Sequence, residues 1–429
     1  MAVIALSKLR VENLLSFGVQ GVEVELGPLN VLIGPNGSGK SNLIEVIGLL
    51  NNTPEDLAEP FRETGGIDEW IWKGGASNPT AAIEVTAYVP PVIKQGRRES
   101  SQHRTSRYDP MADLLPPRRR SRDSRPPSLP LCYRLAFRAS HYQLEIVDER
   151  IQVDLAPATP LRPSSRQVLF AFENGRPMLN VSGKWQVLRP EEINPQKSVL
   201  SQRKDPQQYP ELTALGRLFG SFHFYRDWEF GIDARARAAS PADAPVDFLE
   251  ENVRNLALIL NQLSTRSDTE ADLLKHLKTF YADAESLKTT VLGGRVEIRL
   301  QEKGKFSVSA ARLSDGTLRW MALLTILLHP SPPPLVCLEE PELGLHPDVI
   351  RPLAKLLVQA SKRMQLVVTT HSDALVDELT DTPEAVIVCE KEAGSTTLTR
   401  LKKKELSQWL KKYSLGDLWH KGQIGGTRW

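Results

Sequence analysis

The sequence predicts an α/β fold whose core is assembled from the two ends of the chain. Near the N-terminus a short apolar strand, Asn30–Ile33, runs through a glycine-rich turn into a helix, Lys40–Leu50. Strand and helix signals alternate in the same way in the last third of the chain. Between these ends the sequence pattern changes, so we expect one α/β core with an inserted β-rich and helical middle region.

The N-terminal elements follow from short hydrophobic patterns. Val3–Leu9 is rich in apolar residues, and alternation predicts two more strands, one through Val22, Val24 and Leu26 and one through Ile83, Val85 and Ala87. From Pro90 to Pro130 the chain turns to arginine, serine and proline with few large apolar residues. That composition predicts an exposed insert without a packed core.

Strand signals resume over Leu131–Leu188 and give way to helical ones at Asp247–Leu263 and Glu270–Leu287, with a hairpin through Val296–Val308. The last third predicts a helix, a strand, a helix and two strands, at Thr317–Leu328, Leu335–Leu338, Asp348–Ala360, Leu366–Thr369 and Val386–Cys389. Four parts follow: an N-terminal lobe (1–89), an arginine- and proline-rich insert (90–130), a strand and helical region (131–290) and a C-terminal lobe (291–429).

Composition narrows the protein classes. The chain has 429 residues, of which 41% are hydrophobic and 25% charged, so it can bury a sizeable core. No apolar run reaches the ~18 residues of a membrane span, and Met1–Arg10 lacks the apolar stretch of a signal peptide. Three cysteines are too few for a disulfide framework, which favours the reducing cytosol: Cys132, Cys337 and Cys389.

A phosphate-binding loop is the most specific motif. Gly34–Ser41 fits the pattern G-x-x-x-x-G-K-[ST] and lies between a strand and a helix, as that motif requires. Its backbone N–H groups would curl round the phosphates, Lys40 would reach the β- and γ-phosphates, and Ser41 would ligate Mg²⁺. The candidate nucleotide-binding residues are Gly34, Pro35, Asn36, Gly37, Ser38, Gly39, Lys40, Ser41 and Asn42.

The apolar strand that begins at Leu335 ends in two acids, Glu339 and Glu340. Buried glutamates are rare without a partner such as a metal. Glu339 is placed to hold Mg²⁺ through Ser41 or water, and Glu340 to accept a proton from the attacking water or to polarise it. The alternative is a strand end that carries two solvated acids.

Two shorter motifs are ambiguous when they are taken alone. Leu313–Thr317 has the composition of an ordinary turn and helix N-cap. Alternatively, the segment presents the Ser314 hydroxyl and the Gly316 N–H to a γ-phosphate. Thr370–Ser372 follows an apolar strand, and a lone histidine such as His371 is more often structural than catalytic.

In their order along the chain, these four motifs resemble the head of ATP-binding-cassette (ABC) ATPases, a P-loop NTPase fold with a mixed sheet and flanking helices. Among these ATPases, the chain resembles the SMC-like, RecF-like and OLD-like branch more closely. Glu339–Pro347, Leu415–Trp419 and Gly425–Trp429 look like a bacterial group of stand-alone predicted AAA-family ATPases in that branch. The resemblance covers about 1–89 and 291–429 well, and the middle loosely.

The resemblance implies ATP and Mg²⁺ as cofactors. It assigns Ser314 and Gly316 to the signature loop, which contacts ATP on the opposite protomer, His371 to the switch histidine on the γ-phosphate, and Leu343–His346 to the D-loop at the dimer interface. A glutamine between the two lobes normally binds Mg²⁺ and water. Gln202 is the candidate for that catalytic and metal-binding position, and its rivals are Gln143, Gln167 and Gln208.

Three positions depart from the pattern of the resembling group. Glu339 stands where most ABC ATPases carry aspartate, and its longer arm shifts the metal contact. Asp315 stands where glycine is common. The segment Asn13–Phe17 lacks the basic residue that many relatives place there, which leaves one phosphate or ribose contact in doubt. Without sustained heptads, no long SMC-type coiled coil is expected.

Charge is distributed unevenly. The whole chain carries a net charge of +2, but Arg97–Arg125 holds nine arginines and four acids, a net of +5 that leaves −3 for the remainder. This stretch could bind DNA or RNA phosphates, or it is a solvated loop or a dock for an acidic partner. A second basic stretch, Lys402–Lys412, has apolar residues at helical spacing and is expected to pack on the core.

These features predict an ATP-hydrolysing, dimerising switch in the cytoplasm. It would form a head-to-head homodimer, or a higher oligomer, and would act on DNA or on a separate nuclease or toxin partner in anti-phage defence or DNA repair. One alternative is a transporter's nucleotide-binding subunit, which the long insert disfavours. Another is a non-hydrolysing structural scaffold, which Lys40, Glu340 and His371 disfavour.

Overall fold

The computed structural model describes residues 3–75, 79–90, 128–154, 168–173, 175–181, 183–304 and 306–426. The arginine-rich stretch Arg97–Arg125, the rival Gln167 and the last residues, Thr427–Trp429, lie outside these ranges. Within them, the strands form three sheets of eight, six and four strands.

The strands, in chain order, are β1 (Leu6–Glu12), β2 (Val22–Glu25), β3 (Leu29–Ile33), β4 (Ala81–Val89), β5 (Leu129–Ser140), β6 (Gln143–Val153), β7 (Val168–Glu173), β8 (Arg176–Val181), β9 (Lys184–Val187), β10 (His223–Tyr225), β11 (Ser240–Pro241), β12 (Ala284–Leu292), β13 (Arg295–Glu302), β14 (Phe306–Ser309), β15 (Leu335–Glu339), β16 (Gln365–Thr369), β17 (Val386–Glu392) and β18 (Ser395–Arg400). The helices are α1 (Lys40–Asn52), α2 (Glu59–Glu63), α3 (Ile67–Trp70), α4 (Val199–Gln202), α5 (Pro210–Phe219), α6 (Leu256–Ser264), α7 (Ser267–Phe280), α8 (Asp315–Leu328), α9 (Ile350–Ala360), α10 (Asp373–Asp377), α11 (Lys403–Leu406) and α12 (Leu415–His420).

The six-stranded core sheet has the order β10-β15-β16-β3-β17-β18. Its first five strands run parallel, and β18 closes the sheet as an antiparallel hairpin with β17. β3 comes from the N-terminal part, yet it lies between β16 and β17 from the C-terminal part. This order confirms that both ends of the chain build one core.

The eight-stranded sheet is antiparallel, with the order β2-β1-β4-β5-β6-β7-β8-β9. β4 pairs with β5 over its whole length, from Ala81 opposite Phe137 to Val89 opposite Leu129. The sheet therefore continues from the N-terminal lobe into the middle region, across the boundaries placed at residues 89 and 131.

Side chains of the core sheet alternate between two apolar clusters, because successive residues of a strand point to opposite faces. Leu32 and Val367 pack with α1 and the antiparallel sheet. Val31 and Val368 pack with α6, α8 and α9 on the other face. Among the helices of the described residues, none is long and apolar enough to cross a membrane.

Two helices differ from the sequence prediction. The segment expected as helix over Asp247–Leu263 becomes helical only at Leu256, because the buried side chain of Asn255 holds the preceding loop through the Glu250 N–H and the Phe248 carbonyl. The helix expected over Glu270–Leu287 ends at Phe280, and the chain continues as β12, which pairs with β13. Sheet pairing decides the conformation there.

The second basic stretch is only partly as predicted. Leu406 and Leu410 pack against the core, but the helical spacing is not sustained beyond the short α11. Trp409 and Tyr413 remain exposed and lie against each other, with ring centroids 6.4 Å apart.

The two large sheets are joined by a fully buried glutamine, Gln365 at the start of β16. Its Oε1 accepts hydrogen bonds from the N–H groups of Ala5 and Leu6 at 3.0 and 2.9 Å. Its Nε2 donates to the carbonyls of Leu6 and Gly27 at 2.7 and 2.9 Å. One amide thereby hydrogen-bonds to four backbone groups, one of which, the Gly27 carbonyl, also accepts a hydrogen bond from Asn30 Nδ2 at 2.8 Å.

We expect Gln365→Leu to lower the free energy of unfolding by about 3 kcal/mol or more, because it strands several buried backbone groups. Denaturant unfolding of the full chain measures this. Gln359→Leu, the same change at an exposed position of α9, should stay within about 0.5 kcal/mol. Equal effects for the two variants would contradict the role assigned to Gln365.

Candidate functional site

The predicted motifs meet at one edge of the core sheet. β3, β15 and β16 are parallel neighbours or next neighbours, so their carboxyl ends lie at the same edge. The phosphate loop Gly34–Ser41 follows β3, Glu340 follows β15 and His371 follows β16. In open parallel sheets this edge is where ligands bind.

The phosphate loop is tightly built. Gly34 has a φ of 149°, and a β-carbon there would lie 2.2 Å from the Cys389 carbonyl oxygen, so only glycine fits. Lys40 is only 6% exposed, and its Nζ donates to the carbonyls of Gly34 and Pro35 at 2.8 and 3.0 Å. The Ser38 hydroxyl is buried without a protein partner. An ammonium and an unpaired hydroxyl inside the loop suit an anionic ligand.

The loop is supported from behind by β18 and by the turn Asn13–Phe17. Thr396 Oγ1 donates to Ser16 Oγ at 2.6 Å and lies 2.9 Å from the Ser38 carbonyl. The Asn42 side chain also donates to Ser16 Oγ, at 2.7 Å. Asn42 was predicted to contact the nucleotide, but here its amide fastens the phosphate-loop helix to this turn.

Ser41 and Glu339 form an oxygen pair that fits a hard cation. Ser41 Oγ lies 3.3 Å from Glu339 Oε2, while Glu339 Oε1 is buried without a protein partner. Burial raises the pKa of Glu339, and the nearby Arg226 opposes that rise. Hydroxyl and carboxylate oxygens are the ligands that Mg²⁺ prefers, so the residues present fit this ion.

Glu340 and His371 lie next to each other. Glu340 has a left-handed backbone, with a φ of 44°, a conformation that costs about 1–3 kcal/mol for a non-glycine residue. Its N–H is held by the carbonyl of Thr369 at 3.1 Å and by Thr369 Oγ1 at 3.2 Å. In this position Glu340 Oε1 lies 3.6 Å from His371 Nε2.

Glu342 is a site residue to which the sequence reasoning gave no role of its own. Its Oε1 accepts hydrogen bonds from the Thr370 hydroxyl at 2.6 Å and from the His371 N–H at 3.0 Å, so it fixes the loop that carries the histidine. Its Oε2 is buried without a protein partner, and burial raises the pKa of this carboxyl. The feature of the sequence that could have indicated a role for Glu342 was the acidic run to which it belongs.

The signature segment begins α8. Ser314 is its N-cap, and its hydroxyl accepts a hydrogen bond from the Thr317 N–H at 3.1 Å. A β-carbon on Gly316 would lie 3.1 Å from the Gly344 carbonyl, so the signature touches the predicted D-loop of the same chain. Asp315 pairs with Arg237. That ion pair gives the departure from glycine a structural reason.

Arg319, one turn further along α8, connects three elements. Its guanidinium lies 5.2 Å from the ring centre of Trp228 and donates to the Leu343 carbonyl in the D-loop. Burial lowers the pKa of Arg319, while Glu342 and Glu340 oppose that effect. The signature helix, the D-loop and the segment after β10 are thereby packed together.

The amide of Gln202, the candidate for binding Mg²⁺ and water, is hydrogen-bonded within its own loop. Its Nε2 donates to the carbonyls of Asn194 and Lys197 at 3.2 and 2.7 Å, and its Oε1 accepts from the Asn194 N–H at 2.8 Å. The amide groups predicted to bind Mg²⁺ and water are thus used to close the loop before α4.

The segment that carries Gln202 is anchored by a buried carboxylate instead. Glu149 accepts hydrogen bonds from Tyr133, Ser198 and the Val199 N–H, the last at the first residue of α4. Burial raises the pKa of Glu149 to about 7, although these hydrogen bonds lower it. Glu149 therefore holds α4 against the antiparallel sheet.

The segment that follows β10 lies beside Glu339. β10 pairs in parallel with β15, with Tyr225 opposite Leu338, so Arg226 and Asp227 emerge beside Glu339. Trp228 Nε1 donates to the Glu339 carbonyl at 3.1 Å. A three-residue aromatic strand followed by charged residues was the signal in the sequence.

Comparison with known proteins agrees with this arrangement. A family model described as "AAA domain, putative AbiEii toxin, Type IV TA system" matches residues 29–174 and 193–377. No curated protein matches the sequence.

Two solved structures are similar in fold: an Smc head bound to the C-terminal winged-helix domain of ScpA, and an Smc head with an extended coiled coil bound to the C-terminal domain of ScpA, derived from Pyrococcus furiosus. Each has a TM-score of 0.50 and 13% identity. The first covers 94% of this chain and 100% of its own, and the second 95% and 99%. The predicted ABC-type head fold is confirmed.

Arg226 leads to a prediction about the phosphate-loop helix. Its Nη2 donates to the Ile44 carbonyl at 3.2 Å, and a β-carbon on Gly48 would lie 2.8 Å from that nitrogen. Inside a helix, alanine normally stabilises the fold by about 1 kcal/mol relative to glycine. We expect Gly48→Ala to gain no stability in the native background but to gain about 1 kcal/mol in an Arg226→Leu background.

A double-mutant cycle of denaturant unfolding measures this reversal. The same change in both backgrounds would mean that Gly48 does not make room for Arg226.

Proposed function

The chain belongs to the family described as "AAA domain, putative AbiEii toxin, Type IV TA system", and we propose that it is a Mg²⁺-dependent ATPase. We propose further that this protein, with its SMC-like nucleotide-binding fold, works as an ATP-gated dimerising switch in the cytosol. The observation that carries the proposal is the meeting of the Ser41–Glu339 and Glu340–His371 pairs beside the phosphate loop.

Each residue has a defined part in hydrolysis. Lys40 and the loop N–H groups stabilise negative charge on the phosphates, and Ser41 with Glu339 would hold Mg²⁺, which supplies further positive charge when bound. Glu340 orients the attacking water and accepts its proton, and His371 contacts the γ-phosphate. Glu342 positions His371 through its N–H.

The resemblance to ABC-type heads supports the proposed dimerisation. In the ABC-type heads that the chain resembles, the residues matching Ser314 and Gly316 contact ATP held by the opposite protomer. Support here comes from the D-loop residue Leu343, an apolar side chain that is 59% exposed next to the signature. In a head-to-head dimer this side chain would be buried against the second copy.

Glu340→Gln tests the switch. We expect ATP turnover to fall by about 10²–10⁴-fold, because the general base is lost, while ATP-held dimers persist since binding groups are untouched. Phosphate release measures turnover, and light scattering with size-exclusion chromatography in Mg²⁺-ATP measures the dimer.

Glu405→Gln, the same change at an exposed residue of α11, should leave both properties unaltered. Unchanged turnover in Glu340→Gln would remove Glu340 from its role. Undetectable turnover in the native protein, with nucleotide still bound, would favour the scaffold function instead.

We propose further that the switch acts on nucleic acid or on a separate nuclease or toxin, in anti-phage defence or DNA repair. The family description, which names a toxin of a toxin–antitoxin system, supports a role of this kind. The nine arginines of Arg97–Arg125 support contact with a polyanion.

Changing Arg118, Arg119 and Arg120 to alanine should weaken DNA binding and reduce its salt dependence, since about three phosphate contacts disappear. Fluorescence anisotropy with a labelled duplex, titrated at several salt concentrations, measures both. Replacing Lys402, Lys403 and Lys404 removes the same charge elsewhere and should have a smaller effect. DNA binding that changes neither with the salt concentration nor in either triple variant would favour a protein partner.

A further inference from the structure

The C-terminal part of the chain lies against both sides of the nucleotide site. Residues 414–426, which we call the C-terminal clamp, comprise α12 and the two glycines Gly425 and Gly426. The hydrolysis scheme gives these residues no part. Leu415, Leu418 and Trp419 are nevertheless buried. The clamp is therefore part of the packed core and not a loose extension of it.

One end of the clamp is fastened to the helix that follows the switch histidine. The Leu415 N–H donates to Thr380 Oγ1 at 3.0 Å, and the Gly416 N–H donates to Asp377 Oδ1 at 2.8 Å. Asp377 ends α10, which begins two residues after His371. A β-carbon on Gly416 would lie 2.6 Å from the Asp373 carbonyl, so α12 lies directly on α10.

The other end of the clamp is fastened beside the phosphate loop. The Gly426 N–H donates to Glu390 Oε1 at 2.9 Å, and its carbonyl accepts a buried hydrogen bond from Trp419 Nε1 at 3.0 Å. A β-carbon on Gly426 would lie 3.1 Å from Val388 and 3.4 Å from Gly34 Cα. With its φ of 71°, Gly426 occupies a space and a backbone conformation that suit glycine alone.

Gly34 is thus enclosed between two neighbours. On one side is the Cys389 carbonyl, and on the other is Gly426, which Glu390 holds in place. Gly34 can adjust its backbone only if β17 or the clamp moves with it, because packed interiors deform little.

We propose that the C-terminal clamp positions the nucleotide site by coupling the switch helix α10 to the phosphate loop, with Gly426 and Trp419 as the positioning residues. The proposal rests on the proposed nucleotide site. Coupling is reciprocal: if the docked clamp favours the loop conformation that binds ATP, then bound ATP must stabilise the docked clamp by the same free energy.

The first experiment uses the native chain and measures amide hydrogen exchange with and without Mg²⁺ and ATPγS. Exchange at Leu415, Gly416 and Gly426 should slow by about tenfold when nucleotide binds, a coupling of ordinary size. Exchange at these amides that is insensitive to saturating nucleotide would overturn the proposal.

The second experiment compares two glycines with left-handed backbones. Gly426→Ala introduces a methyl group against Val388 and Gly34, whereas Gly175→Ala, at a φ of 75° in the β7–β8 turn, meets nothing within 4 Å. Both variants carry similar backbone strain. Only Gly426→Ala should weaken binding of a fluorescent ATP analogue, by about tenfold.

Two milder substitutions test the proposal in case Gly426→Ala fails to fold. Trp419→Phe keeps an aromatic ring but removes the donor to Gly426, whereas Trp409→Phe makes the same change at an exposed position outside the clamp. Trp419→Phe should weaken nucleotide binding, and Trp409→Phe should bind as the native chain does. Equal affinity in Gly426→Ala, Trp419→Phe and the native chain would make the clamp purely structural. A native chain that binds no ATP would refute the proposed function itself.

Discussion

The position of β3 between β16 and β17 is the constraint on which the nucleotide site depends. Leu32 of β3 pairs with Thr369, and its carbonyl accepts a hydrogen bond from the Thr370 N–H at 3.2 Å. The Thr369 carbonyl in turn accepts from the Glu340 N–H at 3.1 Å. The last hydrogen bonds of three strands thus set the positions of the phosphate loop, Glu340 and His371 relative to one another. A shift of one residue in this register would separate them.

Much of this core could be predicted because its signals are local. The helices beginning at Lys40 and Asp315 and the strands ending at Glu339 and Thr369 are long or strongly apolar, and they carry motifs whose spacing is diagnostic. What the sequence could not determine are pairings between distant residues. Nothing near Gln202 indicates that its amide closes a loop at Asn194, and nothing near Asp315 indicates the ion pair with Arg237.

The short strand β10 was missed for a related reason. Three residues, His223–Tyr225, are too few to show a period, and their burial comes from pairing with β15, which lies more than a hundred residues further along the chain. The same holds for β12, where Ser286 and Leu287 continue a helical pattern but pair with Gln301 and Leu300 of β13. In both cases tertiary contacts override the local preference.

Trp228 shows how the segment after β10 packs against the C-terminal lobe. One edge of its indole donates to the Glu339 carbonyl, and its face is covered by the Arg319 guanidinium from the signature helix. Arg319 also holds the D-loop through Leu343, and Glu342 beside it holds the His371 N–H. In the proposed dimer, His371 serves the protomer's own nucleotide and Ser314 serves its partner's. The contacts of Arg319, Leu343 and Glu342 lie between them and would link the geometry of the two nucleotide sites in that dimer.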